Sequence, residues 1–331
     1  MSLLATDLRI VADENHHLLI PIVRYPSEND SSVLRKQAGF LEFGRGDFQA
    51  ERKPLTVLDS LQEKLPSHVL AIIPRSIDIV GGIAILEITP ELNPYKAKIG
   101  EAILAVNKNV RTVLSKASPI STQYRVREFE VLAGDDCTET MHNEYGCRYI
   151  LDLRKVYFSP RLGYEHDRIS RLVTEGETVI DMFAGIGPFS IPIAKRRSSV
   201  MVYAIDVNPE AIRYLKENIK LNKVEGKVTP FLGDCKNIVD HKLRGIADRV
   251  IMNLPGESLE YADTACQAIK PTGGIMHLYT FSDEKEPFNK LRDALKRSVL
   301  SAGRSVKDVE TRIVKEVAPY KLQVAVDAKV T

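Results

Sequence analysis

Three acidic residues close three successive apolar segments and can divide one polar ligand among them: Asp181, Asp206 and Asp234. The first opens Asp181-Met182-Phe183-Ala184-Gly185-Ile186-Gly187-Pro188-Phe189-Ser190, which reads as a strand end, a glycine turn and the start of a helix. Gly185 and Gly187 let backbone approach a ligand with no Cβ in the way, and Phe183 and Ala184 share the turn. A dinucleotide fingerprint needs a third glycine, and Ser190 stands there instead. The acid ahead of the turn disfavours a pyrophosphate and favours a ligand with an ammonium group, which S-adenosylmethionine has. Met201-Val202-Tyr203-Ala204-Ile205 then ends at Asp206, with Val207 behind it, where a carboxylate can accept from both hydroxyls of a ribose. Asp234 closes Phe231-Leu232-Gly233-Asp234, a strand end suited to reading an adenine amino group.

Two further segments carry chemistry. Met252-Asn253-Leu254-Pro255 ends a fourth strand at the carboxyl edge of the expected sheet, where acceptors dock in open α/β folds. Its turn can offer a side-chain amide and a backbone carbonyl to a flat polar heterocycle, which points to a nitrogen nucleophile. Tyr157-Phe158-Ser159-Pro160-Arg161-Leu162, followed by Glu165, joins aromatic, rigid and charged groups at the junction of the two larger predicted domains, a preferred place for ligands. A carboxylate there can serve as general base, and an arginine from the preceding domain can stabilise developing negative charge.

These residues need a scaffold, and the apolar periodicity supplies one. From Asp167 onward strands near Val179, Val202, Val228, Val250 and Ile275 alternate with helices that begin near Pro188, Pro209, Leu259 and Pro287. The tail from Val306 to Val330 reads as two adjoining strands around Pro319-Tyr320, an antiparallel addition at the sheet edge. With the two ligand loops in register, this is the pattern of a Rossmann-like class I methyltransferase domain. Upstream, Val57 to Leu65 and Leu92 to Val106 show helical spacing. Ile77 to Ile88, Thr112 to Leu114 and Tyr124 to Leu132 read as strands, and Thr138 to Phe158 as a hairpin turning at Glu144-Tyr145-Gly146. Leu8 to Val57 reads as short strands broken by the polar run Ser27-Glu28-Asn29-Asp30-Ser31-Ser32, and Gln49-Ala50-Glu51-Arg52-Lys53-Pro54 as a linker. The expected domains are therefore 1–58, 59–165 and 166–331.

With 331 residues, 44% hydrophobic and 27% charged, the chain has the composition of a soluble globular protein, and no apolar run nears the roughly 18 residues of a membrane span. No secretory signal opens it, so a cytoplasmic, monomeric protein is expected. A net charge of +2 neither demands nor excludes nucleic acid, since clustering decides. Four scattered cysteines suit reduced thiols, and Cys137, His142 and Cys147 match no zinc spacing, so no metal is expected.

Taken together, the segments Ile73-Pro74-Arg75-Ser76-Ile77-Asp78, Lys98-Ile99-Gly100-Glu101-Ala102-Ile103-Leu104, Tyr124-Arg125-Val126-Arg127-Glu128, 157–165, 181–194 and Asn253-Leu254-Pro255 resemble the archaeal and eukaryal tRNA methyltransferases that modify N1 of guanine 37. The resemblance spans nearly the whole chain. It implies that Glu165 is the general base, that Arg125 stabilises charge on guanine O6, and that Asn253 and Pro255 hold the base. It also implies that Tyr157 and Arg161 lie by S-adenosylmethionine, that residues 59–165 form an α+β RNA-binding domain, and that residues 1–58 dock at the tRNA elbow. The chain departs from the family's usual arginine after the base, having His166 instead, and has Gly163-Tyr164 where smaller or polar residues are usual. A wyosine-pathway enzyme, either a dual-function methyltransferase or an aminocarboxypropyl transferase, is the nearest alternative. A non-catalytic RNA-binding protein on the same fold is the alternative from another class.

Overall fold

The computed structural model describes residues 3–5, 8, 10–13, 17–38, 40–48, 56–118, 124–283, 288–318 and 320–331. The expected linker at 49–54, Pro287 and Pro319 lie outside these residues. The chain divides into two compact units, Met1–Pro66 and Ser67–Thr331.

In the first unit Val11–Ala12 (β1) pairs antiparallel with Leu18–Leu19 (β2). The polar run expected to break this unit is instead part of a helix, Glu28–Ala38 (α1). Its start is encoded locally. Asp30 N donates to Ser27 Oγ at 3.2 Å while Ser27 N donates to an Asp30 carboxylate oxygen at 3.0 Å, which satisfies amides the helix itself leaves orphaned. No residue of α1 is buried, so the sequence shows no apolar stripe to announce it. Thr56 and Asp59 form a second reciprocal cap at the start of Val57–Leu61 (α2).

The second unit opens with Ser67–Ile72 (α3) and a four-stranded sheet ordered Asp78–Val80 (β3), Ile83–Leu86 (β4), Thr112–Lys116 (β5) and Phe129–Gly134 (β6). Strands β4 and β5 run parallel, so a crossover must join them, and Lys96–Val106 (α4) provides it. Gly100 lets α4 sit close on β6: a Cβ there would lie 2.9 Å from Leu132 Cβ. Glu139–Glu144 (β7) and Cys147–Asp152 (β8) form the expected hairpin. Tyr145 and Gly146 at its tip both have positive φ, 44° and 77°, as the tight turns that match strand twist require.

After a turn of 3-10 helix at Pro160–Leu162, Gly163–Leu172 (α5) leads into the large sheet. Its parallel strands are Thr178–Asp181 (β9), Met201–Asp206 (β10), Val228–Leu232 (β11), Arg249–Met252 (β12) and Gly274–Asp283 (β13). The connecting helices are Ser190–Arg196 (α6), Pro209–Leu221 (α7), Cys235–Ile238 (α8), Ala262–Ala268 (α9) and Asn289–Ser301 (α10). Val306–Ala318 (β14) and Lys321–Val330 (β15) complete a seven-stranded order β11-β10-β9-β12-β13-β15-β14, with β15 antiparallel to both neighbours, as the tail pattern anticipates. Strand alternation sends Val179 and Ile251 into one core and Ile180 and Val250 into the other, so both faces are covered. The chain moves outward from β9 to β11 and returns to the opposite side at β12, which places a ligand crevice at the carboxyl ends of β9 and β12.

The expected boundary at residue 165 lies inside this second unit, where one core runs from Leu114 and Tyr149 to Val179. Polar bonds tie the same parts. Asn218 on α7 accepts from Ile150 N at 2.7 Å and donates to the carbonyls of Ile150 and Ile186, which fastens the hairpin to the methionine-to-proline turn after β9. Asn218→Ala leaves these buried groups unpaired and should lower the free energy of unfolding by about 2–3 kcal/mol, read from chemical denaturation. A change below about 0.5 kcal/mol would show that water replaces the amide at no cost.

Candidate functional site

The carboxyl edge of the sheet holds a cavity of about 230 Å³, and the predicted loops build it. Phe183, Ala184 and Gly185 line it from the turn after β9, Asp206 and Val207 from the end of β10, and Asp234 from the end of β11. Gly185 has φ +54°, and a Cβ there would meet nothing nearer than the Tyr157 carbonyl at 4.0 Å, so its backbone faces open space. Gly185 N in turn donates to Asp206 Oδ2 at 2.7 Å, and Asn208 N donates to Oδ1 at 2.8 Å, which fixes the Asp206 carboxylate at the cavity wall. Burial pushes the Asp206 carboxyl above its ordinary value, and the amides of Asn208 and Gly185 offset part of that rise. Asn208 also caps α7, accepting from Glu210 N at 3.0 Å, so the helix start and the acid are set by one turn. Asp234 caps α8 by accepting from Asn237 N at 3.1 Å.

Not every expected contact lies on this cavity. Asp181 is fully buried beneath the glycine turn, where Ser190 Oγ donates to its Oδ2 at 2.7 Å and Oδ1 has no hydrogen-bond partner among the described residues. The serine at the missing third glycine thus anchors an acid rather than a ligand. Gly187, at φ +94°, serves packing: a Cβ would lie 2.6 Å from Leu215 Cδ1. Arg161 lines a second cavity instead, with Nε 2.5 Å from Asp78 and Nη2 2.6 Å from Ser76 Oγ.

This second cavity, of about 330 Å³, adjoins the first and shares Arg125, Tyr157, Phe158, Ser159 and Pro255 with it. On its wall Lys116, Arg125, Arg127, Arg161 and Lys315 outnumber the acids Asp78 and Glu316. Arg125 sits at φ +56°, a conformation that a non-glycine residue adopts at a cost. Its Nη1 donates to the Pro255 carbonyl at 3.1 Å and its guanidinium lies 5.7 Å from the centre of the Tyr157 ring. Asn253 lines the first cavity with a buried Oδ1 that has no hydrogen-bond partner among the described residues. The turn that presents Asn253 and Pro255 is held by Ser258, which bonds Leu254 N and the carbonyls of Met252, Leu254 and Tyr279.

Glu165 is 2% exposed and lines neither cavity. Its Oε2 accepts from Arg168 Nη2 at 2.8 Å and from Tyr279 Oη at 2.7 Å, whereas Oε1 lies 3.9 Å from Arg312 Nη1. Next to it, His166 lines the first cavity, with Nδ1 2.7 Å from Glu144 Oε1 and a buried Nε2 without a hydrogen-bond partner among the described residues. Glu144 was invisible as a site residue because 22 positions separate it from His166 and only the hairpin brings them together. Burial raises the Glu144 carboxyl, but the His142 and His166 imidazoles outweigh burial and leave it at about 2.

An open parallel sheet with an acid at the end of each of three strands, an antiparallel edge and a polar cavity at the topological switch defines a methyltransferase of the Rossmann-like type. The description "TRM5/TYW2 methyltransferase domain" matches residues 140–306, and "TYW2 N-terminal domain" matches residues 57–138. Trm5b of Pyrococcus abyssi, a tRNA (guanine(37)-N(1))-methyltransferase, is 42% identical over 318 residues, 96% of this chain and 90% of that protein. The Methanocaldococcus jannaschii Trm5b is 37% identical over 99% of this chain and 93% of its own length. Taw21 of Saccharolobus solfataricus, a tRNA 4-demethylwyosine(37)-methyltransferase, is 36% identical over 77% of this chain and 94% of its own length. Among solved structures, P. abyssi Trm5b superposes with a TM-score of 0.80 at 38% identity, covering 99% of this chain and 92% of that one. The complex of aTrm5 with tRNALeu gives 0.74 at 34% identity, covering 99% and 93%. The chain belongs to the TRM5/TYW2 methyltransferase family.

The buried Asp181 makes the site's foundation sensitive to pH. Full burial, less the bond from Ser190 and added to by the nearby Asp206, holds its carboxyl at about 7 against an ordinary 3.8. The folded state then binds a proton that the unfolded state releases, so this contribution to stability is complete below about pH 4 and is lost as pH rises to about 7. Asp181→Asn should therefore gain stability relative to the wild type as pH is raised across that window, by a few degrees in Tm. A difference between the two proteins that does not change with pH would refute the buried proton.

Proposed function

We propose that the chain methylates N1 of guanine at position 37 of tRNA, with S-adenosylmethionine as the methyl donor. The observation that carries this reading is the meeting of two cavities at Arg125, Tyr157 and Pro255, one bearing carboxylate and amide acceptors, the other cations and aromatic rings. The residues of the first fit the donor: Asp206 suits the ribose hydroxyls, Asp234 the adenine amino group, and the open backbone of Gly185 leaves room beside Phe183, Ala184 and Val207. When bound, S-adenosylmethionine supplies a methyl group made electrophilic by its sulfonium.

Guanine N1 carries a proton at neutral pH, so attack requires a base while O6 takes up negative charge. We assign the proton to Glu165. Arg168 and Tyr279 hold one of its oxygens, and the other, without a hydrogen bond among the described residues, is left to accept. Contact with the acceptor is made when tRNA binds, since catalytic hydrogen bonds commonly tighten only in the substrate complex. Arg125 meets the charge on O6, exchanging its bond to the Pro255 carbonyl for one to the oxyanion, and the Asn253 amide takes the base at the shared mouth. The cations of the second cavity attract the phosphates on either side, residues 59–165 position the anticodon arm, and residues 1–58 reach the tRNA elbow. Similarity to Taw21 supports a second reading, methylation of a tricyclic wyosine precursor. Asn253-Leu254-Pro255 favours plain guanine, because a doubled proline with an aromatic residue would suit the larger base.

Glu165→Gln should slow single-turnover methyl transfer by about 10²–10⁴-fold with cofactor and tRNA affinity nearly intact. An unchanged rate at neutral pH removes Glu165 from the chemistry. Arg125→Ala should cost about 10²–10³-fold in the same step, with poor rescue by lysine, which lacks the planar fork. A loss seen wholly in tRNA affinity would make Arg125 a phosphate contact.

A further inference from the structure

The Glu144 side chain is 8% exposed and, among the described residues, is bonded to no lysine or arginine. A carboxylate in such a place needs other partners. Two imidazoles supply them. Gly81 N donates to His142 Nδ1 at 3.2 Å, so the proton of that ring sits on Nε2, 3.7 Å from Glu144 Oε2. Glu144 is ionised and can only accept, so His166 Nδ1 donates to its Oε1 at 2.7 Å. Gly163, three positions before His166 on α5, clears the space: a Cβ there would lie 3.1 Å from Glu144 Cδ and Oε2. The rings of His166 and Phe189 meet at 84° with centres 4.6 Å apart, which restrains the plane of the imidazole. One atom of this assembly is left over. His166 Nε2 is buried and has no hydrogen-bond partner among the described residues, on a side chain that lines the first cavity. Native interiors seldom leave such an atom unpaired unless a ligand or water completes it.

We propose that His166 Nε2 binds the carboxylate at the amino-acid end of S-adenosylmethionine, with Glu144 as the positioning residue that orients the ring and supports its charge. The inference rests on the first cavity being the donor site. With the ribose at Asp206 after β10 and the adenine at Asp234 after β11, the amino-acid end is left for the side walled by α5 and the turn after β9. Asp181, the acid expected there, is sealed beneath that turn. Arg125, on the same lining, is bonded to the Pro255 carbonyl. A carboxylate arriving at Nε2 places the imidazole between two anions, which favours the ring with both nitrogens protonated and each donating. Such charge-assisted bonds are roughly twice as strong as neutral ones. Side-chain shifts on binding bring the buried nitrogen into contact.

The test titrates the full-length protein, without tRNA, with S-adenosylmethionine and with its decarboxylated analogue, which keeps the sulfonium and the amine. Both affinities are read by calorimetry. The wild type should bind the intact donor about 10- to 150-fold more tightly, the range of one hydrogen bond to a charged group. His166→Phe should bring that ratio close to one by weakening the intact donor, with affinity for the analogue retained. Glu144→Gln, which keeps the shape of the side chain, should lower the ratio in the same way and carries the test if His166→Phe does not fold. A wild-type ratio near one, a ratio that neither substitution moves, or equal losses for both ligands overturns the role of His166 while the donor site stands. A wild type that binds neither ligand overturns the donor site, and the role of His166 with it.

Discussion

One arginine between a buried acid and a half-buried one ties the edge of the large sheet to the helix before it. Arg168 donates to Glu165 through Nε and Nη2 and to Asp327 through Nη1 and Nη2, at distances from 2.8 to 3.4 Å. A lone carboxylate in such a place would cost several kcal/mol, and two facing each other would cost more. The network runs on. Asp327 also accepts from Arg312 and from His277 Nδ1, and Arg249 donates to His277 Nε2 and clasps Glu177 with two bonds. Donation from Arg249 leaves His277 neutral with its proton on Nδ1, in keeping with burial and the nearby cations, which lower its basicity. Hydrogen bonding to His277 and the charge of Arg168 outweigh burial for Asp327 and keep its carboxyl well below the ordinary range. The result is that α5, and with it the 157–165 segment that walls both cavities, is bonded to the antiparallel edge of the sheet.

That edge thus does more than extend the sheet. Strand β15 carries Asp327 inward to the network and Gln323 to the floor of the second cavity, four residues apart on the same face as the period of two requires. The positioning of Glu165 and the lining of the second cavity both depend on β15. Charge is partitioned to match: the molecule is almost neutral overall, yet cations gather at the outer cavity and carboxylates at the inner one. Local clustering of this kind, rather than net charge, is what attracts a polyanion to one face.

Much of this was legible in the residues. Strands β9 to β12 carry apolar runs, and each leads into an acid or the Asn-Leu-Pro turn, so both period and punctuation point the same way. The β14–β15 hairpin declared itself by alternation. What stayed hidden depended on contacts remote in sequence or on register. The α1 helix has no buried face and so no apolar period, and only its Ser27–Asp30 spacing gave a local sign of a cap. The resemblance implies that Arg161 lies by the cofactor, but Asp78 and Ser76 draw it to the second cavity. Gly187 was read as a ligand glycine and turned out to be one that α7 presses upon. The hold of Ser258 on Tyr279 could not be found without knowing that β13 lies beside β12.

The central claim concerns a single atom of a single nucleotide. Unmodified tRNA transcript incubated with the full-length protein and S-adenosylmethionine, digested with a base-specific nuclease and analysed by mass spectrometry, gives both the modified nucleoside and its position. The proposed chemistry requires 1-methylguanosine at position 37 and nowhere else. A methyl group on another atom or position, a transferred aminocarboxypropyl group, or methylation confined to tRNA that already carries a tricyclic base would contradict it.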